Sequence, residues 1–419
     1  MTPNADVDFD HFGPEFAADP AGAFRELREK CPVAHSSRHD GFWVLTRRAD
    51  VARAALDDAT FSSARYPADS GLSAIIIPPT PSPIRNVPIE LDPPESKVYR
   101  DMLNPLLSPK VSEERLRPFI ADLTTYFIDR VAESGRADLI TDIASPVPAM
   151  FTLRWLGLPV DDWERFAFIQ HAIVSNTPDS PEMAAVAAGL EWQYGLIQET
   201  IARKRAEPGD DVISYLVRQE VDGKPISDAA VMEMVTLLIA GGVDTTTSLT
   251  GQAIRYLYEH PGQLGHVQGS RKRQQLATEE FLRAFCPVTA LARTVMKPVR
   301  IGDQDLRPGD RVLLAWYAAN RDPAEFPEPE EIRLDRFPNR HTAFGLGIHR
   351  CLGSNVARVA FEEMTSQIFA RLRDLRIDTA AARPYPAIGI NSGWSSLPAT
   401  FTPGPVTGDG GLPAGAFGL

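Results

Sequence analysis

Two short stretches carry residue types that could do redox chemistry. The first is Phe344-Gly345-Leu346-Gly347-Ile348-His349-Arg350-Cys351-Leu352-Gly353, one cysteine in a loop with three glycines, ahead of a helical pattern over 354–375. Glycines permit positive φ angles and let the backbone approach a flat ligand that a Cβ would obstruct. A porphyrin is such a ligand. The N-terminal amides of the following helix face the sulfur, and they and a metal both favour the thiolate. A cysteine bound to porphyrin iron pushes electron density onto the metal and favours O–O cleavage. Taken alone, Cys351 is better explained as a buried, inert cysteine.

The second stretch is Ala240-Gly241-Gly242-Val243-Asp244-Thr245-Thr246-Thr247. It lies midway along a helical pattern from the N-cap Ser227 to His260, which precedes Pro261. Roughly 34 residues at 1.5 Å each make about 50 Å, enough to cross the whole molecule. Glycine and threonine are poor helix formers, each interior Gly costing about 1 kcal/mol relative to Ala. A central helix weakened in this way either keeps space beside its backbone and a polar pair in apolar surroundings, or tolerates an irregularity at a packing contact. Asp244 and Thr245 are the polar pair in question, a carboxylate and a hydroxyl, beside Gly241 and Gly242.

The elements that must position these groups are mostly helical. Helical patterns cover 14–30, 48–56, the region from Glu95 to Glu220, and the pair 163–177 and 181–207. Asp40-Gly41 between two β-prone runs predicts a hairpin, and the runs around 299–301 and 312–316 read as strands. Between Tyr66 and Val87 the chain is rich in proline and isoleucine, which excludes a regular helix and makes a long functional loop. Lys and Arg total 43 against 55 Asp and Glu, a formal charge of −12. This argues against nucleic acid or an anionic membrane as main partner. No secretory signal and no apolar run near 18 residues are visible. Cys31, Cys286 and Cys351 are too scattered for a disulfide framework. The expectation is a cytoplasmic protein.

The pattern Phe-Gly-x-Gly-x-His-x-Cys-x-Gly resembles the heme-binding loop of the cytochrome P450 family. Ala240-Gly241-Gly242-Val243-Asp244-Thr245 resembles that family's oxygen-binding segment, which implies Asp244 as the acid that relays protons from solvent, Thr245 as the alcohol that holds water or peroxide by hydrogen bonds, and Gly241 and Gly242 as the room for dioxygen. By this resemblance Cys351 is the axial thiolate of heme b (iron protoporphyrin IX), Phe344 shields the sulfur, Gly345 and Gly353 shape the loop, and His349 meets a propionate. Arg293, after the apolar run 287–292, matches a propionate-binding arginine. Glu280-x-x-Arg283 alone means little, since exposed ion pairs are worth under about 1 kcal/mol. In the family this pair meets an arginine upstream of the cysteine loop, here Arg336, in a bidentate cluster that supports the loop. Asp92-Pro93-Pro94-Glu95 resembles a helix start, with Asp92 as cap and Arg100 facing the heme or a redox partner. Ser96 stands where many relatives have His, leaving that propionate contact to Lys97 or Arg100.

The resemblance spans about residues 24–401 and implies a mainly α fold with a minor β portion, one heme domain over 1–401, with the long central helix over the heme. Residues 402–419, rich in Gly and Pro, read as a disordered tail or a linker stub. The implied activity is that of a heme-thiolate monooxygenase using O2. Its electrons come from an external ferredoxin and ferredoxin reductase, or a flavodoxin, with NAD(P)H as source, because no segment resembles a flavin, nicotinamide or iron–sulfur module. The partner is expected near Arg100, Arg350 and Arg358. The substrate is expected to be small and apolar, lined by Ile76, Ile77, Val288 and Leu291, with the same residues in the core as the plainer account. Arg85 is either an anion anchor or a solvated loop arginine. A peroxide-driven peroxygenase and a non-catalytic heme-binding or sensor module remain as alternatives, and the acid–alcohol pair counts against both.

Overall fold

In the computed structural model, which describes residues 6–418, helices dominate and the strands are short. The helices that matter for the site are α1 (Glu95–Leu103), α2 (Trp163–Ser175), α3 (Glu182–Ala206), α4 (Asp228–Gly242), α5 (Asp244–Glu259), α6 (Arg271–Phe285) and α7 (Ser354–Arg371). A mixed sheet is formed by β1 (Asp6–Val7), β2 (Val33–Ser36), β3 (Phe42–Leu45), β4 (Phe61–Ser62), β5 (Leu291–Val295) and β6 (Arg311–Leu314), in the order β1-β2-β3-β6-β5-β4. The β2–β3 hairpin is antiparallel, as the Asp40-Gly41 turn predicts. The loop 66–87 contains no helix.

The long central pattern forms two successive segments, α4 and α5, rather than one unbroken helix. Ser227 caps α4 by accepting from the Ala230 amide. At Val243 (φ −87°, ψ −65°) the helix is interrupted, and α5 begins at Asp244. The cause is local. Thr245 Oγ1 donates to Gly241 O at 2.9 Å, and Thr247 Oγ1 to both Val243 O and Ala144 O. Hydroxyls that bond the carbonyl four residues back bend a helix, and two adjacent glycines weaken it there. Taken as one rod, Asp228–Glu259 is long and apolar enough to cross a membrane. Its packing against α3, α7 and the helix Pro146–Leu156 inside the fold accounts for that composition.

The cysteine loop sits where three apolar clusters meet. Leu352 packs on the large helical core, Leu346 on the core beneath the sheet, and Phe344 on a third cluster built from α5, α6 and α7.

The C-terminal tail departs from the expected disorder. Phe417 is 3% exposed and lies edge-on to Phe119, with ring centroids 5.4 Å apart. Arg115 donates to the carbonyls of Phe417 and Gly418, and Asp129 accepts from the amides of Thr407 and Gly408. Composition reads a Gly/Pro-rich tail as unable to bury surface, but one aromatic near its end does so. Phe417→Ala is expected to cost about 3 kcal/mol, the low end for a buried phenylalanine, seen as a lower melting temperature. An unchanged melting temperature would mean that the tail is idle.

Candidate active site

The loop before α7 owes its path to glycine. Gly345 and Gly347 adopt φ of +66° and +70°, and a Cβ on Gly347 would fall 2.5 Å from the Ala55 carbonyl oxygen. The Cys351 amide closes the loop on Phe344 O at 2.8 Å. Burial pushes the Cys351 thiol up, while the Gly353 amide and Arg350, Arg100 and Arg358 pull it down. The net shift is upward, so these groups do not ionise the sulfur unaided, and a bound cation is needed to hold the thiolate. Cys351 is nevertheless accessible. A thiol both desolvated by its surroundings and open to a probe faces space inside the fold. Gly241 is likewise accessible in mid-helix, with nothing within 4 Å of where its Cβ would stand.

Two arginines and a neutral imidazole converge beside the loop. His349 is held down to about 3 by burial and by the charges of Arg293 and Arg100. Its Nε2 meets Ser63 Oγ at 2.8 Å, and its Nδ1 is buried without a partner. Arg293, on β5, is pulled to about 10 by burial. It donates to Ala292 O and forms no ion pair among the described residues. Arg100 donates to Arg350 O at 2.8 Å. Buried cations and an unpaired imidazole nitrogen fit an anionic group. These residues fit a heme, whose iron Cys351 would bind and whose carboxylates Arg100, Arg293 and His349 would meet. Lys97 does not join them, being ion-paired with Asp101 at the surface, and Ser96 is buried. Asp92 does not cap α1. Its carboxylate accepts from Ser62 Oγ and the Ser63 amide, fastening α1 to β4.

On the opposite side, Asp244 is 2% exposed and accepts four hydrogen bonds. His171 Nδ1 (3.2 Å) and Tyr385 Oη (3.0 Å) meet Oδ1, while Ser248 Oγ and Asn391 Nδ2 (both 3.1 Å) meet Oδ2. Burial, then the Asp244 charge, push the Tyr385 phenol well up, so it stays a donor. The His171 side chain is 30% exposed and gives this buried carboxylate a polar route outward. The two glycines divide their roles. Gly241 faces open space, whereas a Cβ on Gly242 would meet Thr152 Oγ1 at 2.7 Å, so Gly242 serves helix packing.

Behind the loop, Glu280 and Arg283 are 0% exposed and doubly bonded at 2.8 and 2.9 Å. Arg336 Nε donates to both Glu280 oxygens at 3.0 and 3.1 Å, joined by Asn339 and the Arg333 amide. The remaining guanidinium donors hold the carbonyls of Asn320, Pro327, Glu328, Pro329 and Glu331. A neighbouring cluster was not expected. Arg358 is bidentate to Glu279 at 2.5 and 2.9 Å, lies over the Phe344 ring, and shares Glu279 with His341. Arg358 is thus committed inward and is no free docking charge, whereas Arg350 is exposed. Burial opposes the Glu279 charge, but Arg358 and His341 overcome it and hold the carboxyl near about 2. A depressed carboxyl contributes stability above its unfolded pKa and loses it as pH falls through the folded one. Acid titration from about pH 4.5 toward 2 should therefore loosen the loop, and Glu279→Gln should flatten that dependence in a thermal-melt series.

Among the expected pocket residues, Ile76, Val288 and Leu291 are half-buried, but Ile77 is 2% exposed and packs in the core beneath the sheet. Arg85 is bidentate to Glu233 with its side chain 38% exposed, so it is a partly solvated, ion-paired loop arginine and not a free ligand anchor. Arg311 fixes the pocket loop through the carbonyls of Ala74 and Ile76. Ser63, Arg311, Tyr385 and Asn391 come from distant segments and give no sequence signal. His171, a lone histidine in an apolar helix, is the one that could have been noticed.

A profile of the family described as Cytochrome P450 matches residues 275–378. The chain is 31% identical over 373 residues to cytochrome P450 130 of Mycobacterium tuberculosis, covering 86% of this chain and 89% of that one. It is 34% identical over 364 residues to the erythromycin C-12 hydroxylase of Saccharopolyspora erythraea, covering 84% and 87%. The structure of cytochrome P450 CYP109Q5 from Chondromyces apiculatus matches with a TM-score of 0.82 at 28% identity, covering 96% of this chain and 99% of that one.

Proposed function

This chain belongs to the cytochrome P450 family and is an oxidoreductase of its monooxygenase type, and from that premise we propose that it inserts one atom of O2 into a C–H bond of a small apolar molecule. The other atom leaves as water. Two electrons arrive from an external ferredoxin or flavodoxin, supplied by NAD(P)H in the cytoplasm. Heme b, held by the Cys351 thiolate, would supply the O–O cleavage and oxygen-transfer chemistry, with that thiolate as electron donor. The observation that carries this reading is Cys351 itself, accessible within the fold and under the charges of Arg350, Arg100 and Arg358.

The chain's own residues then have separate tasks. Arg100, Arg293 and His349 would hold the propionates. Phe344, beneath the Arg358 guanidinium, shields the sulfur. Gly241 leaves space beside the helix, and Thr245 Oγ1, now bonded to Gly241 O, offers a hydroxyl beside it. His171, reaching toward solvent, would bring protons in to Asp244, whose Oδ1 Tyr385 also bonds. Ile76, Val288 and Leu291 exclude water from the substrate side, and a relative that hydroxylates erythromycin supports an organic substrate. Exposed Arg350 marks the face for an acidic redox partner.

The experiment is a carbon monoxide difference spectrum of the reduced protein. A Soret band at the thiolate position supports Cys351 as ligand, and the absence of any heme signal from heme-replete protein would sink the proposal. Asp244→Asn should keep that spectrum and slow product formation by about 10²-fold or more, the usual worth of a positioned acid–base group. Unchanged turnover and coupling would reduce Asp244 to a clasp between α2 and the central helix.

A further inference from the structure

We propose that Asp10, His11 and His39 form a binding site for one zinc-class divalent ion, far in sequence from the cysteine loop and independent of the heme. One donor atom from each residue lies within 4.8 Å of the others. Asp10 and His11 follow the first strand, and His39 lies at the turn of the β2–β3 hairpin, so the sheet brings the two segments together. The His11 and His39 rings stand 5.5 Å apart at 75°.

His11 is the residue that points to an ion. It is 2% exposed, and its Nε2 lies 2.7 Å from Ile77 O. A carbonyl oxygen only accepts, so Nε2 carries the hydrogen and Nδ1 presents its lone pair. That Nδ1 is buried and has no hydrogen-bond partner. A buried acceptor left unpaired in a cluster of ligand-type groups calls for a Lewis acid. The Nε2–H to a backbone carbonyl is the outer bond that orients metal-ligating histidines. Asp10 is likewise held in place, since Oδ1 accepts from the Phe12 amide and faces His39 Nε2, both at 2.9 Å. An ion would replace the proton now shared by Asp10 and His39. Two imidazoles and one carboxylate favour zinc or a similar borderline ion over calcium or magnesium. Asp10 and His39 are half-exposed, which leaves room for a water as fourth ligand. Because His11 holds the Ile77 carbonyl, the ion would also brace the loop that carries Ile76.

The test uses tag-free, heme-loaded protein stripped with EDTA and dialysed against micromolar ZnCl2. Zinc per chain is measured by elemental analysis. The wild type should take up one equivalent and gain melting temperature with added zinc. Asp10→Asn keeps an acceptor for the Phe12 amide, and His39→Asn suits the left-handed backbone at that position (φ +50°). Each should bind zinc at least about tenfold more weakly, with the carbon monoxide spectrum unchanged as proof of folding. Zinc uptake equal in the wild type and both variants, or below one-tenth equivalent in the wild type, would overturn the site.

Discussion

Cys351→Ser is expected to bring product formation to background while leaving a folded chain that still takes up heme weakly. The argument rests on how the site divides its work. The sulfur is the only soft ligand in the loop, and burial holds its pKa up, so it ionises by binding a cation rather than by its protein surroundings. A serine hydroxyl is harder, far less acidic and a poor donor of electron density, so the O–O cleavage that thiolate ligation favours is lost. The groups at the propionate end do not depend on the sulfur. Arg293 is fixed by its strand, His349 by Ser63, and Arg100 by Arg350 O, so the propionate end of the site survives. Groups that merely orient a metal ligand are worth about 10–100-fold in affinity, and losing the ligand itself makes that range a floor. The measurements are heme titration, the carbon monoxide difference spectrum and turnover. A variant with the wild-type Soret band and turnover would remove Cys351 from the role assigned to it.

What the sequence made legible follows from how local each signal is. The cysteine loop could be read because its glycines, histidine and cysteine all act within ten residues, and the positive φ angles at Gly345 and Gly347 bear out the reason for glycine there. Glu280 and Arg283 share one helical turn, so only the match of Arg336 needed the family pattern. The central helix was legible as a period, and its weakness at the glycines and threonines as composition, but the placing of the break at Val243 was not, because it depends on which carbonyls the threonine hydroxyls choose. The surroundings of Asp244 were hidden for another reason. His171, Tyr385 and Asn391 arrive from segments 73 to 147 residues away, and no periodicity encodes such meetings. Arg358 misled because it lies seven residues past the cysteine and composition cannot tell a docking arginine from one committed to Glu279. The tail misled through Gly and Pro content, against which a single well-placed Phe417 decided the outcome.

Glu280→Ala should give a chain that is destabilised by about 3–5 kcal/mol and depleted of heme. Such a loss is typical when one member of a buried ion cluster is removed and its partners stay behind. Here two guanidiniums would remain, with Arg283 fully buried and Arg336 nearly so. Against a total stability of about 5–15 kcal/mol, that decides whether the protein accumulates at all. The effect should reach the heme because the same arginines hold the carbonyls from Asn320 to Glu331, and Arg336 itself sits fifteen residues before Cys351. Releasing them frees the segment that delivers the cysteine loop. Glu280→Gln separates charge from shape, since it keeps the volume and some hydrogen bonds but leaves both cations uncompensated, and should fall between the wild type and the alanine variant. Joint replacement of Glu280, Arg283 and Arg336 by apolar residues of similar volume should recover part of the stability, because no buried charge then lacks a partner. Thermal unfolding and heme-to-protein ratio should fall together across this series if the cluster is a structural clamp. A Glu280→Ala protein that is stable and fully heme-loaded but inactive would instead place Glu280 in the chemistry.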